Sequence, residues 1–194
     1  MANKQYTIIS YYNFIKIKNL FKFKNILNKF TNDLDIKGII LIAPEGLNFS
    51  ISICSSQYNR FIKRLNKLFN LLYDDLKISY SNKHIFRKIK IKIKKEILTT
   101  RLQNQINIKK YVGEYVNPIE WDNFIKRPNV VLIDTRNFYE TEIGSFSEAI
   151  NPKTRNFTEL LNWLSKNMLT EENKKKKIAM FCTGGIRCEK ATSY

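Results

Sequence analysis

The sequence predicts a protein of mixed α and β structure in two parts, and three observations support this prediction. Apolar residues between positions 6 and 95 follow strand and helix periods in the order β-α-β-β-α-β. Between positions 117 and 182, buried strands alternate with helices, which is typical of an α/β unit with a parallel sheet. Residues 1–110 contain 22 Lys and Arg against 6 Asp and Glu, whereas residues 111–194 contain 12 against 11.

The first part is predicted to be an α+β domain that covers residues 1–98. Apolar residues that alternate or run together predict strands, and apolar stripes of helical spacing predict helices. Strands are expected at 6–14, 37–43, 47–53 and 86–95, and helices at 19–30 and 55–72. Pro44, Glu45 and Gly46 fit a tight turn between the second and third strands. This order of elements is that of the ferredoxin-like fold.

The second part is predicted to cover residues 113–194, after a linker at 99–112 that has no clear period. Helices are expected at 117–125 and 157–168, and buried strands at 129–136 and 177–182. The first of these strands ends in Asp134 and Arg136, and the second ends at Cys182. Because sites in parallel sheets lie at the carboxyl ends of the strands, this edge is the predicted functional site.

Nearly all of the positive charge lies in the first part, where residues 1–110 have a net charge of +16 out of +17. In the strand at 86–95, isoleucines alternate with four lysines that point to the same side, namely Lys88, Lys90, Lys92 and Lys94. Such a row either keeps a sheet edge from aggregating or contacts RNA phosphates. Compositional drift toward Ile, Lys and Asn would spread the charge evenly, so the uneven charge favours RNA binding.

The sequence also indicates the cellular compartment of the protein. No apolar run approaches the ~20 residues that a membrane span needs, and residues 1–10 lack the apolar core of a signal peptide. The sequence therefore predicts a cytoplasmic protein with no membrane partner, and it does not predict an oligomeric state. Cys54 lies within a strand and is expected to be a packing residue. The clustered pair Cys182 and Cys188 indicates reactive or metal-binding thiols in a reducing compartment.

The stretch "FCTGGIRCEKATSY" carries the predicted chemistry. Cys182 leaves the last strand, and a short loop leads to the start of a helix. The loop residues are Thr183, Gly184, Gly185 and Ile186. Loop amides, the helix amino terminus and Arg187 all favour the thiolate, so we expect the pKa of Cys182 to be lowered. Cys182 is the predicted nucleophile, Arg187 is predicted to stabilise its thiolate, and Cys188 is either a second reactive thiol or a packing residue.

Several motifs resemble known families. The CxxGxR loop, "IDTR" at 133–136 and "YETEIGSFSEAINP" at 139–152 resemble a rhodanese domain. More narrowly, "APEGLN" at 43–48, "GEYVNPIEW" at 113–121 and "CTGGIRCEKA" at 182–191 together resemble the bacterial tRNA uridine(34) hydroxylases. This resemblance implies a ferredoxin-like domain joined to a rhodanese domain. It also implies that tRNA is the partner, that molecular oxygen is the co-substrate, that the product is 5-hydroxyuridine at the wobble position, and that Cys182 is needed.

The length of the cysteine loop distinguishes phosphatase from sulfurtransferase activity. Four residues separate Cys182 from Arg187, whereas phosphatases with a cysteine loop have five, so the loop suits sulfur better than phosphate. A persulfide sulfurtransferase is therefore the alternative enzyme, and a tRNA-binding protein without catalysis is the alternative from another class. The step that Cys182 performs is left open by the sequence. It either carries a persulfide, reacts with the uracil ring or reduces an oxygen species.

No cofactor and no metal site is identified. Since His84 is the only histidine, an iron site of two histidines and one carboxylate cannot be assembled within one chain. No glycine-rich dinucleotide fingerprint follows a strand either. Asp134 and Arg136 are expected to support the cysteine loop rather than to contact substrate. Ser145 stands in "GSF" where rhodanese domains often have histidine, and we expect this change to weaken structure more than chemistry.

The last expectation concerns the carboxyl-terminal region. Seven residues follow Arg187, whereas a rhodanese-like sheet normally continues with a further strand and helix. The α/β rhodanese-like domain is therefore expected to be truncated at its carboxyl terminus. We expect its last helix of about two turns to bury little surface, because the stub is only about 10 Å long at 1.5 Å per residue.

Overall fold

The computed structural model describes residues 5–69, 76–102 and 106–194 of the chain. The chain divides into two compact units, residues 1–97 and residues 98–194, and each is described by itself. Within the described ranges, no helix is both long enough and apolar enough to cross a membrane.

The first unit is built on a five-stranded sheet. Its elements are β1 (Tyr6–Asn13), α1 (Leu20–Asp33), β2 (Lys37–Ala43), β3 (Gly46–Cys54), α2 (Tyr58–Phe69), β4 (Lys77–Ser81) and β5 (Ile89–Ile93). The strand order is β4-β1-β3-β2-β5. The first four strands in this order pair antiparallel, and β5 pairs parallel to β2. The order β4-β1-β3-β2 confirms the ferredoxin-like start.

One strand of this unit differs from the prediction. The sequence assigns the last strand of the ferredoxin-like fold to residues 86–95, but β4 (Lys77–Ser81) takes that position beside β1. The lysine-rich strand β5 is instead a fifth strand at the opposite edge. The five residues of β4 are largely exposed and offer only Ile78 and Tyr80 as apolar residues, so their period is too short to detect. Residues 70–72 of the predicted second helix lie outside the described residues.

One face of the sheet packs against α1 and α2. The central strand β3 contributes several fully buried side chains, among them Leu47, Ile51 and Ile53. Phe30 of α1 stacks on Phe61 of α2 with ring centroids 5.3 Å apart. Asn19 caps α1, because its Oδ1 accepts a hydrogen bond from the Lys22 amide at 2.9 Å. The helices therefore cover the face whose apolar residues the strand period predicts.

The turn between β2 and β3 depends on Gly46. Its φ is +152°, and a Cβ at this position would lie 2.0 Å from the carbonyl oxygen of Asn13. The residue before it, Glu45, accepts a hydrogen bond from the Ile97 amide through its Oε1 at 2.7 Å. The "PEG" stretch therefore makes a tight turn and also holds the end of the first unit.

The second unit contains two parallel strands and five helices among its described residues. They are α3 (Ile108–Tyr111), α4 (Pro118–Ile125), β6 (Val130–Asp134), α5 (Phe138–Thr141), α6 (Phe157–Asn167), β7 (Lys177–Phe181) and α7 (Ile186–Ser193). β6 and β7 pair in parallel register, as the sequence predicts. Ile150 adds an isolated parallel bridge to Ile133 on β6. Asn117 caps α4 by accepting from the Ile119 amide at 3.0 Å, with Pro118 at the first helical position.

A second hydrophobic core lies between α6 and this parallel pair. Its buried residues include Ile133, Leu160, Leu161 and Ala191. Leu102 and Ile106 of the segment predicted as a linker pack against the same core. The described residues of 99–112 therefore belong to the second unit.

The expectation that the last helix buries little is wrong. Ile186, Lys190 and Ala191 of α7 are buried, and Lys190 is only 1% exposed. The Lys190 amine donates to the carbonyl oxygen of Leu98 at 2.8 Å, and Thr192 Oγ1 accepts from the Gly113 amide at 3.0 Å. A lysine can bury its aliphatic stem when its amine is hydrogen-bonded, and a count of apolar residues misses this contribution. The truncation of the domain stays a prediction.

Candidate active site

Cys182 lies at the carboxyl end of β7, where the predicted loop turns into α7. Gly185 ends this loop with a φ of +93°, which favours glycine because it has no Cβ. The Gly185 amide donates a hydrogen bond to Cys182 Sγ at 2.9 Å. The structure thus directs the Gly185 amide of the predicted loop at the Cys182 sulfur, at the start of a helix.

The hydrogen bond from the Cys188 thiol is the main cause that lowers the pKa of Cys182, which falls to about 5. Burial opposes this shift, whereas the backbone amides of Cys188 and Gly185 and the charge of Arg187 support it. The lowered pKa of Cys182 agrees with the expectation from sequence. The sequence did not identify Cys188 as the principal hydrogen-bond donor, because it left Cys188 as either a reactive thiol or a packing residue.

Cys188 is the protonated partner of this pair. The hydrogen bond to Cys182, burial and the negative charge of the neighbouring thiolate all raise the pKa of Cys188. Thr135 Oγ1 lies 3.5 Å from Cys188 Sγ and donates to the carbonyl oxygen of Phe181 at 2.8 Å. Ionisation is therefore favoured at Cys182 and disfavoured at Cys188.

Arg187 forms a bidentate ion pair with Glu140, a residue that the sequence analysis missed. Arg187 Nη1 donates to Glu140 Oε2 at 2.5 Å, and Nη2 donates to Oε1 at 2.8 Å. Glu140 Oε1 also accepts from Thr183 Oγ1 at 2.6 Å, and Oε2 accepts from the Asn137 amide at 3.1 Å. The hydrogen bonds from Arg187 are the main cause that lowers the pKa of Glu140, which falls to about 2.

Glu140 therefore fixes two side chains of the cysteine loop from a different segment of the chain. Both members of the ion pair are largely buried, with side chains 12% exposed for Arg187 and 19% for Glu140. A signal was available in the spacing of Asn137 and Glu140, since a cap residue followed three positions later by Glu is typical of a helix start. That signal locates α5, but it does not predict the pairing with Arg187.

Asp134 and Arg136 form a second ion pair at the end of β6. Arg136 Nε donates to Asp134 Oδ1 at 2.9 Å, and Nη2 donates to Oδ2 at 2.6 Å. Burial raises the pKa of Asp134, but hydrogen bonds from Arg136 and Ser145 outweigh burial and the pKa is lowered. Arg136 Nη2 also donates to the Gly144 carbonyl oxygen at 2.6 Å. These contacts fix segment 140–145, which carries Glu140. Because Glu140 binds Arg187 and Thr183, Asp134 and Arg136 contact the cysteine loop only indirectly.

The four lysines of the predicted RNA-binding row lie in the first unit, on and beside the edge strand β5. All four side chains are exposed, whereas Ile89, Ile91 and Ile93 pack against the first core. The Lys94 amide donates to the carbonyl oxygen of Ile42 at 2.8 Å, so the pairing with β2 continues past the strand. The alternation is as predicted, and the role of the lysines stays a prediction.

Two other polar positions of the first unit have structural explanations. Cys54 ends β3, and its Sγ lies 3.3 Å from Ser56 Oγ. His84 Nδ1 lies 2.7 Å from Ser52 Oγ, but Ser52 is fully buried and is not accessible to a substrate. Among the described residues, no three His, Cys, Asp or Glu side chains are grouped so that they could hold a metal ion.

Comparison with known proteins gives matches to both parts of the chain. The model of the UPF0176 acylphosphatase-like domain matches residues 6–97. A tRNA uridine(34) hydroxylase of Prochlorococcus marinus strain NATL2A is 45% identical over 194 residues, and the match covers 98% of this chain and 60% of that relative. The tRNA uridine(34) hydroxylase of Rickettsia typhi is 42% identical, and the match covers 98% of this chain and 76% of that relative. This chain therefore spans about three fifths to three quarters of the length of these relatives.

Proposed function

The chain belongs to the tRNA uridine(34) hydroxylase family, and we propose that it hydroxylates the wobble uridine of tRNA to 5-hydroxyuridine. The observation that carries this proposal is the 42% identity to the Rickettsia typhi relative over 98% of this chain. We propose tRNA as the partner, molecular oxygen as the co-substrate and the cytoplasm as the location. Because the chain spans only part of its relatives, the activity is a proposal for the 194-residue chain itself.

The second unit is proposed to be a rhodanese-like domain. Three features support this: a cysteine that follows a parallel strand, a four-residue loop and an arginine in the first turn of the next helix. The amide of Gly185 directed at Cys182 Sγ is the contact that a bound sulfur anion needs in such a loop.

Cys182 is proposed to be the catalytic residue. Because its pKa is about 5, it is almost wholly a thiolate at neutral pH, which is the reactive form of cysteine. Arg187 adds positive charge beside the thiolate, and Glu140 holds Arg187 in position. Cys188 is the adjacent thiol, and the loop residues supply the backbone amides.

The lysines at 88, 90, 92 and 94 are proposed to contact the tRNA backbone. They are exposed on an edge strand, and their spacing places four ammonium groups along one side of the sheet. Phosphate contacts of this kind give affinity and orientation without reading the base sequence. Recognition of the uridine itself belongs to other residues.

The test measures 5-hydroxyuridine by mass spectrometry in tRNA from a host that lacks its own wobble-uridine hydroxylase. We expect the 194-residue chain to restore the nucleoside, Cys182→Ser to leave none, and Cys54→Ser to match the unmodified chain. Full modification with Cys182→Ser would contradict the role of the cysteine.

Two parallel assays identify the alternatives if no nucleoside appears. Release of sulfur from thiosulfate by the purified chain would instead favour a persulfide sulfurtransferase. Salt-sensitive tRNA binding without either activity would favour a binding protein that lacks catalysis.

A further inference from the structure

We propose that Cys182 and Cys188 form a dithiol that supplies the two electrons for hydroxylation and closes to a disulfide in each turnover. This inference rests on the proposed function. It assigns to Cys188 a role as electron donor, and it identifies the source of the electrons within the chain.

The geometry of the pair supports this role. Cys182 follows the end of β7, Cys188 lies in the first turn of α7, and each thiol shifts the pKa of the other. Both sulfurs are partly buried, and the Gly185 amide holds Cys182 Sγ at 2.9 Å. A disulfide needs a sulfur-to-sulfur distance of about 2.05 Å, so the two sulfurs of this loop must approach each other as it closes.

The ionisation of the pair matches that of a redox couple. A thiolate next to a protonated thiol is the arrangement in which the first cysteine reacts and the second one resolves the product by attacking its sulfur. Thr135 Oγ1 lies 3.5 Å from Cys188 Sγ and donates at 2.8 Å to the carbonyl oxygen of Phe181, the residue before Cys182, so it places Cys188 Sγ close to the start of the cysteine loop.

The proposed reaction balances in atoms and electrons. Hydroxylation replaces the hydrogen at C5 of uridine by a hydroxyl group, which takes one atom of molecular oxygen. The other oxygen atom leaves as water and needs two electrons and two protons. The Cys182 thiolate and the Cys188 thiol give up two electrons and one proton as they form one sulfur–sulfur bond. The second proton that the water molecule needs is taken from solution.

The proposal implies a further reaction that follows each turnover. The disulfide must be reduced by a dithiol or by two thiol molecules before the next uridine is hydroxylated. Without a reductant, the chain performs one turnover and stops. Added dithiothreitol restores continued turnover.

The test is a single-turnover experiment with the reduced full chain, freed of reductant and mixed with unmodified tRNA under ¹⁸O₂. Trypsin cleaves after Lys177, Arg187 and Lys190, so Cys182 and Cys188 fall in separate peptides, 178–187 and 188–190. These peptides stay joined only through a disulfide, which mass spectrometry detects. We expect one joined pair per ¹⁸O-labelled 5-hydroxyuridine, no more than about one product per chain, and no disulfide when tRNA or oxygen is omitted.

One control variant and two variants of Cys188 extend the test. Cys54→Ser should behave as the unmodified chain, because Cys54 belongs to β3 of the first unit and is not part of the cysteine loop. Cys188→Ala should lose multiple turnovers even with dithiothreitol, and Cys188→Ser should lose them too while retaining a hydroxyl donor. The circular dichroism of both variants checks that they fold.

Each outcome separates the two proposals. If 5-hydroxyuridine forms while both thiols stay reduced, or if Cys188→Ser turns over normally, the dithiol proposal is wrong and the proposed function stands. A disulfide that forms with tRNA and oxygen but without the nucleoside contradicts the coupling. If neither product nor disulfide forms, the proposed function of this chain fails and the dithiol proposal fails with it.

Discussion

The lysine row of the first unit and the cysteine loop of the second unit are built by different means. The row repeats one residue type at a period of two along a single strand, and its side chains are exposed. The loop instead depends on single contacts between distant segments, such as Arg187 with Glu140 and Cys188 with Thr135. A charged row can lose one member and still attract an anion, whereas each contact of the loop positions a particular side chain and has no repeat.

The largest expected effect separates catalysis from binding. Cys182→Ser should reduce formation of 5-hydroxyuridine to background, because a hydroxyl group is a far weaker nucleophile and redox group than a thiolate. tRNA affinity should stay unchanged, since the phosphate contacts are proposed to come from the first unit. Filter binding and single-turnover assays on the same preparation measure both quantities. Equal loss of binding would instead show that Cys182 supports structure.

The next effect concerns the lysine row. Replacement of Lys88, Lys90, Lys92 and Lys94 by Gln should weaken tRNA binding and flatten its salt dependence by roughly 0.7 to 0.9 logarithmic units per lost phosphate contact. The matched control replaces the four consecutive lysines at 174–177, which change the net charge by the same amount. An equal loss in both variants would mean that net charge, and not the row, determines affinity.

A smaller effect is expected from Glu140→Gln. This change removes the charge that pairs with Arg187, and we expect it to lower the free energy of unfolding by about 1–3 kcal/mol at neutral pH. Chemical denaturation measures the difference. Glu148→Gln is the matched control, because Glu148 is exposed, and it should stay within about 0.5 kcal/mol. Equal stability of the two variants would show that the ion pair contributes nothing.

The same ion pair predicts a pH dependence. The pKa of Glu140 is lowered from 4.5 to about 2 in the folded protein, so its contribution to stability is present above about pH 4.5. That contribution is lost as the pH falls toward 2, because the carboxyl group becomes protonated in both states. The stability difference between the unmodified chain and Glu140→Gln should therefore shrink over this range. A difference that stays constant from pH 5 to pH 2 would contradict the lowered pKa.

The two regions also differ in how well the sequence predicts them. Strong periods predicted β1, β2, β3 and the lysine-rich strand, because a side chain on a sheet faces one side or the other. The short strand β4 escaped prediction, since its residues are largely exposed and its period covers only two apolar residues. Because β4 was not predicted, its position beside β1 was assigned to the lysine-rich strand, which lies at the other edge of the sheet.

The cysteine loop was located from sequence, but its network was not. Local features, namely two glycines, a strand end and a helix start, predicted a thiolate at Cys182. The pairing of Glu140 with Arg187 spans 47 positions and depends on how α5 packs beside α7, which no local pattern records. Lys190 was missed for the same reason, because a buried lysine depends on a carbonyl oxygen 92 positions away.

The central claim is that Cys182 is a stabilised thiolate, and the pH dependence of its alkylation tests this claim most directly. The rate of carbamidomethylation at Cys182 with iodoacetamide, followed by mass spectrometry in the Cys54→Ser background, should rise with a midpoint near pH 5. In Cys188→Ala the midpoint should move upward, because the principal hydrogen-bond donor is gone. A midpoint near the ordinary cysteine pKa of about 8.5 in the unmodified site would contradict the account.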